Sequence, residues 1–253
     1  MADPARFRFL VSSDWSECLS PNGPFDALIH AWPELEPDLD RIFRSYTANE
    51  ISLSRAVDNI RSLLPSEFGP EAMDGFLREK FASYKNLSEL IRWCGEQGIA
   101  FMINTTGPMG YFQRALCLGL IPWTPLLSAH PFLRYQPGSR EPERTFRLLE
   151  IEDKGKNTEQ ALQLLGIAPQ RAVVIGDSGG DGPHFQWAAD RGAFRVGCMS
   201  KGSLNRYCAE RGIGIHARVG PSYAPGQARD PEAERGTDLR ELASVISGLL
   251  LGG

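Results

Sequence analysis

Apolar positions follow two rhythms along the chain. Phe7 to Ser12 is a short, mostly apolar run. Ile99 to Asn104, Ala172 to Ile175 and "AFRVGC" at 193–198 are others. Runs of this length bounded by polar residues predict strands buried on both faces of a parallel sheet. Between them the spacing changes to three and four. Leu87, Leu90, Ile91 and Cys94 form one helical stripe, with Gly98 as a stop signal. Tyr111 to Leu118, Thr158 to Leu165, Phe185 to Arg191 and Asp238 to Leu251 are predicted helices. "FLRYQ" at 132–136 and "TFRLLEI" at 145–151 read as two strands joined by the polar "PGSREPER".

The stretch 20–85 breaks the alternation. Leu39, Ile42, Phe43 and Tyr46 recur at helical spacing, and so do Val57, Ile60 and Leu64. Ser52 or Ser54 can cap the second helix. "PSEFGP" interrupts the pattern, and Ala72 to Phe81 resumes it. No strand pattern occurs here, so 20–85 is expected to be an all-helical insertion in an α/β core made of 1–19 and 86–253. Strands separated by helices predict right-handed crossovers and a parallel sheet covered on both faces. Ligands of such sheets bind at the carboxyl ends of the strands.

Composition narrows the partners. The formal net charge of -4 argues against nucleic acid. No run approaches the ~18 apolar residues of a membrane span, and "MADPARFRFL" has no leader pattern. The five cysteines are odd in number and scattered without a CxxC pair. They predict small core residues in a reducing compartment, and hence a cytoplasmic protein. "GPSYAPGQARDPEAERG", 220–236, reads as a surface loop. Oligomeric state is not legible.

Chemistry gathers where strands end. Asp14 follows the first strand, Thr105 the second, and Asp177 the "AVVI" strand. In "GDSGGD" Asp177 and Asp181 flank a glycine-rich turn that lets both carboxylates face one point. Oxygen ligands of this kind suit Mg2+. Thr105, with Thr106 and Gly107 behind it, offers a hydroxyl and backbone N–H groups beside a helix start, an anion site. Lys154 and Lys156 in "DKGKN" can each neutralise a phosphoryl group. Carboxylate, metal, hydroxyl and lysine together describe phosphoryl transfer through an aspartyl-phosphate.

The order "DWS", "INTTG", "KGK", "GDSGGD" resembles the haloacid dehalogenase-like (HAD) hydrolase superfamily over nearly the whole chain. "NEISLSRAVDNIRSLLP" is similar to the helical C1-type caps of phosphoserine-phosphatase-like members. The resemblance implies a Rossmann-like core, Mg2+ and a small phosphorylated metabolite as substrate. It implies Asp14 as nucleophile and metal ligand, with the Ser16 carbonyl, Asp177 and Asp181 completing the metal site. Thr105 would hold phosphoryl oxygens beside Thr106 and Gly107. Lys154 would balance charge, with Lys156 close to the substrate.

Ser16 departs from the pattern. Family phosphatases carry a second aspartate there, which protonates the leaving oxygen and then activates water. Such help is worth ~10² to 10⁴ in rate. Ser16 therefore implies a substrate that leaves unaided, an acid from the cap or substrate, or lost catalysis. Two alternatives stay open: a phosphonatase-type carbon–phosphorus hydrolase, for which the insertion offers only Lys80 and Lys85, and a silent binder of phospho-ligands or a protein partner. Glu17 is expected to point away from the site, opposite to Ser16, because side chains alternate along an extended chain. His184 reads as a helix-surface residue, and Trp15 as packing against the insertion.

Overall fold

The computed structural model describes residues 6–47, 50–138 and 140–252. The first five residues, Asn49 of the cap-like motif and Ser139 of the "PGSREPER" loop lie outside that set. After β1 (Phe9–Ser13) come four helices: α1 (Asp26–Ala31), α2 (Glu36–Thr47), α3 (Leu53–Leu63) and α4 (Pro70–Lys80). The alternation then runs α5 (Leu87–Glu96), β2 (Ile99–Pro108), α6 (Met109–Cys117), β3 (Leu126–His130) and β4 (Arg144–Arg147). It continues with α7 (Asp153–Leu165), β5 (Ala172–Gly176), α8 (Gly182–Arg191), β6 (Phe194–Cys198), α9 (Gly202–Glu210) and β7 (Ala217–Val219). Helices α10 (Pro231–Arg235) and α11 (Arg240–Leu250) close the chain.

The seven strands form one sheet in the order β4-β3-β2-β1-β5-β6-β7, and every pairing is parallel. Alternation along β1 splits the core in two. Val11 packs with Phe101, Ile103, Val173 and Ile175 under α5, α6 and α11. Leu10 packs with Ala100, Met102, Ala172 and Val174 under α7, α8 and α9. Such two-sided burial explains why these strands read as continuous apolar runs. The doubly covered parallel sheet is the α/β, Rossmann-like architecture expected from the sequence.

The segment 20–85 holds α1 to α4 and no strand among the described residues. Ser52 caps α3, its side chain accepting from Arg55 N at 3.2 Å. Glu150, from the loop before α7, accepts from Leu53 N and Ser54 N at 2.9 and 3.1 Å. Asp74 of α4 takes a two-pronged bond from Arg114 of α6, at 2.6 and 2.7 Å. Polar groups of the insertion are thus satisfied by the core.

Three expectations are corrected. "FLRYQ" is not a strand. Leu133 adopts a left-handed φ of 52°, and Tyr135 N donates to the Gln113 side chain at 2.8 Å instead of to a ladder. The strand lies just before it, at Leu126–His130. "GPSYAPGQARDPEAERG" is not only surface, because Tyr223 and Glu234 are buried and α10 falls inside it. Helix α7 starts at Asp153, earlier than the apolar stripe indicates. All five cysteines are free. No described helix is long and apolar enough to cross a membrane.

Candidate active site

Five chain segments meet at the carboxyl edge of the sheet. Asp14 is held there because its N–H continues the β1 ladder onto Ile175 O at 3.0 Å. The β2–β3 register shifts between Asn104 and Pro108, so Thr105 to Gly107 leave the ladder as β2 ends. Asp177 and Asp181 follow β5. Gly176 has to be glycine, since a Cβ there would lie 2.5 Å from Asp181 Cγ. Asp181 Oδ2 accepts from Asp177 N and Ser178 N at 3.0 and 3.2 Å, which fixes the turn.

Carboxylate oxygens of Asp14, Asp177 and Asp181 lie within 4.8 Å of one another. Lys154, buried in the first turn of α7, donates Nζ to Asp14 Oδ1 at 2.9 Å and to Asp181 Oδ1 at 2.6 Å. Lys201, which precedes α9, places Nζ 2.8 Å from Asp177 Oδ2 and 2.5 Å from Glu17 Oε2. Arg229 pairs with Glu17 and Glu234, and Tyr84 donates to Glu234 at 3.0 Å.

Electrostatics follow from crowding and burial. Burial raises Asp177 to about 8, Lys201 opposing and Asp181 and Asp14 adding to it. Burial also raises Asp14, against Lys154. Asp181 feels the same burial, yet Lys154 and the two backbone N–H groups hold it below the usual carboxylate range. Lys154 stays above the ordinary lysine range despite its burial, because Asp14 and Asp181 flank it.

A cavity of about 560 Å3 opens onto this cluster. Asp14, Ser16, Thr105, Thr106, Lys154 and Asp177 line it, with Pro24, Phe43 and Tyr46 from the insertion. Thr105 Oγ1 accepts from Gly107 N at 3.1 Å, leaving its own proton to donate. That bond occupies the Gly107 N–H, and Gly107 borders two neighbouring hollows instead of this one. Lys156 is not brought in: its side chain is 68% exposed and pairs with Asp153 at 2.9 Å. Asp181 is fully buried behind Lys154. Lys80 and Lys85 are exposed and border no cavity described here.

Two residues lie where the sequence did not place them. Glu17 lines the cavity, because its φ of 59° and three N–H bonds to Trp15 O curl the chain that extended alternation assumes straight. His184 is fully buried, its Nε2 2.9 Å from Thr158 Oγ1. Burial, with Lys154 nearby, lowers it to about 3. Ser12 and Asn104 complete this network, and Asn104 also holds the Lys154 carbonyl at 2.9 Å. Trp15 is buried against Phe81, Tyr111 and Phe112. Lys201 and Arg229 carried no sequence signal, since lysines and arginines outside a motif read as solvated charge.

The donor set fits a hard divalent cation. Three carboxylates converge, and Asp177 Oδ2 is buried without a hydrogen bond, Lys201 approaching it only as an ion pair.

No family model and no curated protein matches the chain by sequence. Solved structures match it in shape. A substrate-bound phosphoserine phosphatase complex is similar with a TM-score of 0.64 at 14% identity, covering 94% of this chain and 98% of that one. A phospho-aspartyl intermediate analogue of phosphoserine phosphatase gives 0.62 at 14%, covering 94% and 99%. A HAD-family hydrolase from Salmonella enterica serovar Typhi gives 0.62 at 10%, covering 84% and 67%. At such identities the likeness is one of fold, and the fold of this chain is that of the phosphoserine-phosphatase-like HAD hydrolases.

Proposed function

We propose that the protein is a Mg2+-dependent phosphatase of a small phosphorylated metabolite, working through an aspartyl-phosphate on Asp14. The observation that carries this reading is Lys154, buried and shared between Asp14 and Asp181 at the floor of an open cavity. A buried lysine there favours the charged form of two crowded carboxylates, against their burial, and leaves Asp14 facing the space a phosphate would fill. Fold neighbours include a phospho-aspartyl intermediate analogue, which agrees.

Asp14, Asp177, Asp181 and the Ser16 carbonyl would hold Mg2+. When bound, it supplies positive charge to the phosphoryl oxygens and the nucleophile. In this reading an Asp14 oxygen attacks phosphorus. The Thr105 hydroxyl and Thr106 hold phosphoryl oxygens, and Lys154 offsets the charge on Asp14 and the phosphate. Residues 20–85 serve as a cap over the core of 1–19 and 86–253, and Pro24, Phe43 and Tyr46 bring it to the cavity wall. No lysine of this segment lines the cavity, so the imine route of a phosphonatase has no support.

The test is phosphate release from p-nitrophenyl phosphate with Mg2+, for the wild type and Asp14→Asn. Turnover that depends on Asp14 is expected. Wild type that binds phosphate but releases none from any ester would instead make this a silent phospho-ligand binder.

A further inference from the structure

Ser16 leaves the proposed phosphatase without its usual acid, and a leaving group that needs a proton can take it from another group on the cavity wall. Glu17 has both oxygens engaged, one by Lys201 and one by Arg229. Lys154 and Lys201 are each shared between two carboxylates. The ring of Tyr207 packs against Gly182 on the core side, with Arg211 stacked 3.9 Å above it. One group differs. Tyr46, on α2, is half-buried at the cavity wall, and among the described residues its hydroxyl has no hydrogen-bond partner.

Its position matters more than its freedom. A second hollow of about 60 Å3 lies beside the main cavity, lined by Leu28, Phe43, Leu53, Val57, Met73 and Phe132 among others. Tyr46, Phe43, Pro24 and Thr106 border both spaces. A phosphoryl group seated at Asp14, Thr105 and Lys154 can direct an apolar organic part toward that hollow. The oxygen joining the two then crosses the boundary where Tyr46 stands.

Resting on the phosphatase reading, we propose that Tyr46 is the proton donor to the leaving oxygen, in place of an acid at position 16. In the first half-reaction an Asp14 oxygen bonds to phosphorus and the phosphorus–ester oxygen bond breaks. Its electron pair goes to the leaving oxygen, which takes the Tyr46 proton and departs as an alcohol. In the second, the Tyr46 phenolate takes a proton from water as that water attacks phosphorus. The bond to Asp14 breaks, its carboxylate is restored, and phosphate leaves. Burial holds the phenol above its ordinary range, Asp14 and Asp181 adding and Lys154 opposing. It therefore keeps its proton in neutral solution and is a strong base once it has lost it.

The experiment compares alkyl and aryl phosphates. An alkoxide needs a proton to leave, whereas a nitrophenolate needs little help, so Tyr46→Phe should cut alkyl phosphate turnover by ~10²-fold, the lower end of general acid catalysis. Aryl phosphate turnover should fall by a much smaller factor. An unchanged alkyl-to-aryl ratio in a folded Tyr46→Phe protein overturns the proposal. If that variant does not fold, a fluorinated tyrosine at position 46 keeps the ring and changes only its acidity. A shifted ratio then supports the role, and an unshifted one overturns it. Wild type inactive on both esters fails the phosphatase reading itself, whereas Asp14-dependent wild-type turnover with an unresponsive ratio fails Tyr46 alone.

Discussion

Lys154 Nζ lies 2.6 Å from Asp181 Oδ1, across 27 residues of sequence and with both side chains sealed from solvent. Removing one partner of a buried ion pair strands the other, at a cost of ~3–5 kcal/mol. Lys154→Met should lower the stability of the metal-free protein by about that amount. Saturating Mg2+ should restore part of it, because a cation answers the same carboxylates. Chemical denaturation with and without Mg2+ measures both numbers, and a metal-free mutant as stable as wild type would contradict the pairing.

Mg2+ should raise thermal stability by mass action, ~2.7 kcal/mol at a hundred times its dissociation constant. Burial places Asp177 at about 8 in the metal-free cluster, so in neutral solution it retains a proton that a metal must displace. Affinity should therefore rise as pH climbs through 8. Titrations at pH 6.5 and 9 check this, and Asp177→Asn should abolish both the binding and its pH dependence.

Gly176→Ala tests the turn without touching a charge. The added methyl would sit 2.5 Å from Asp181 Cγ, so the carboxylate must move. A shift near 1 Å at a reacting centre can cost ~10²-fold. Turnover should fall by about that factor, and the thermal response to Mg2+ should shrink with it. A variant with normal turnover and Mg2+ response would mean the turn is not what seats Asp181.

His184 sets an acid limit. Its folded value of about 3 lies below the ordinary 6.5, so the folded state binds fewer protons. The associated stability is present above pH 6.5 and drains as pH falls toward 3. Every tenfold change in proton affinity between the unfolded and folded chain is worth about 1.4 kcal/mol, which makes the total a few kcal/mol. His184→Asn should flatten the stability curve between pH 6.5 and 3 relative to wild type. Parallel curves would show that the imidazole is not what titrates.

Ser16→Asp should rescue Tyr46→Phe. Ser16 lines the same cavity, so a carboxyl there can deliver the proton that the phenol no longer supplies. Alkyl phosphate turnover of the double variant should exceed that of Tyr46→Phe by at least ~10-fold, a fraction of full general acid catalysis. Steady-state rates at saturating Mg2+ decide it.

The sheet was legible because β1, β2, β5 and β6 each hold a short, mostly apolar run, the mark of strands covered on both sides. Strand β3 was missed because the apolar "FLRYQ" beside it mimics a strand, and β7 because three residues carry no period. At the site, acids at strand ends stood out by position. Glu17 did not, since alternation presumes an extended chain and a left-handed residue breaks it. His184 was misplaced because its burial depends on Thr158, a partner that spacing cannot supply. Tyr46 was visible only as one more apolar member of a helical stripe. Neither its polar end nor the cavity beside it is encoded in that spacing.

Strand β1 sits in the middle of the sheet, and that position has a cost in time. Its residues pair with 99–103 on one side and with 172–175 on the other. A ribosome adding 5–20 residues per second needs roughly 8 to 30 s to go from the end of β1 to the partner on its second side. For most of that interval "FLVSS" is outside the ribosome with one flank or both still open, followed by amphipathic α2 and α3 whose apolar faces also lack their core contacts. The newborn chain thus presents its stickiest edge for longest at the strand that carries Asp14. Yield of active protein should accordingly depend on translation speed and on chaperones that shield extended apolar segments.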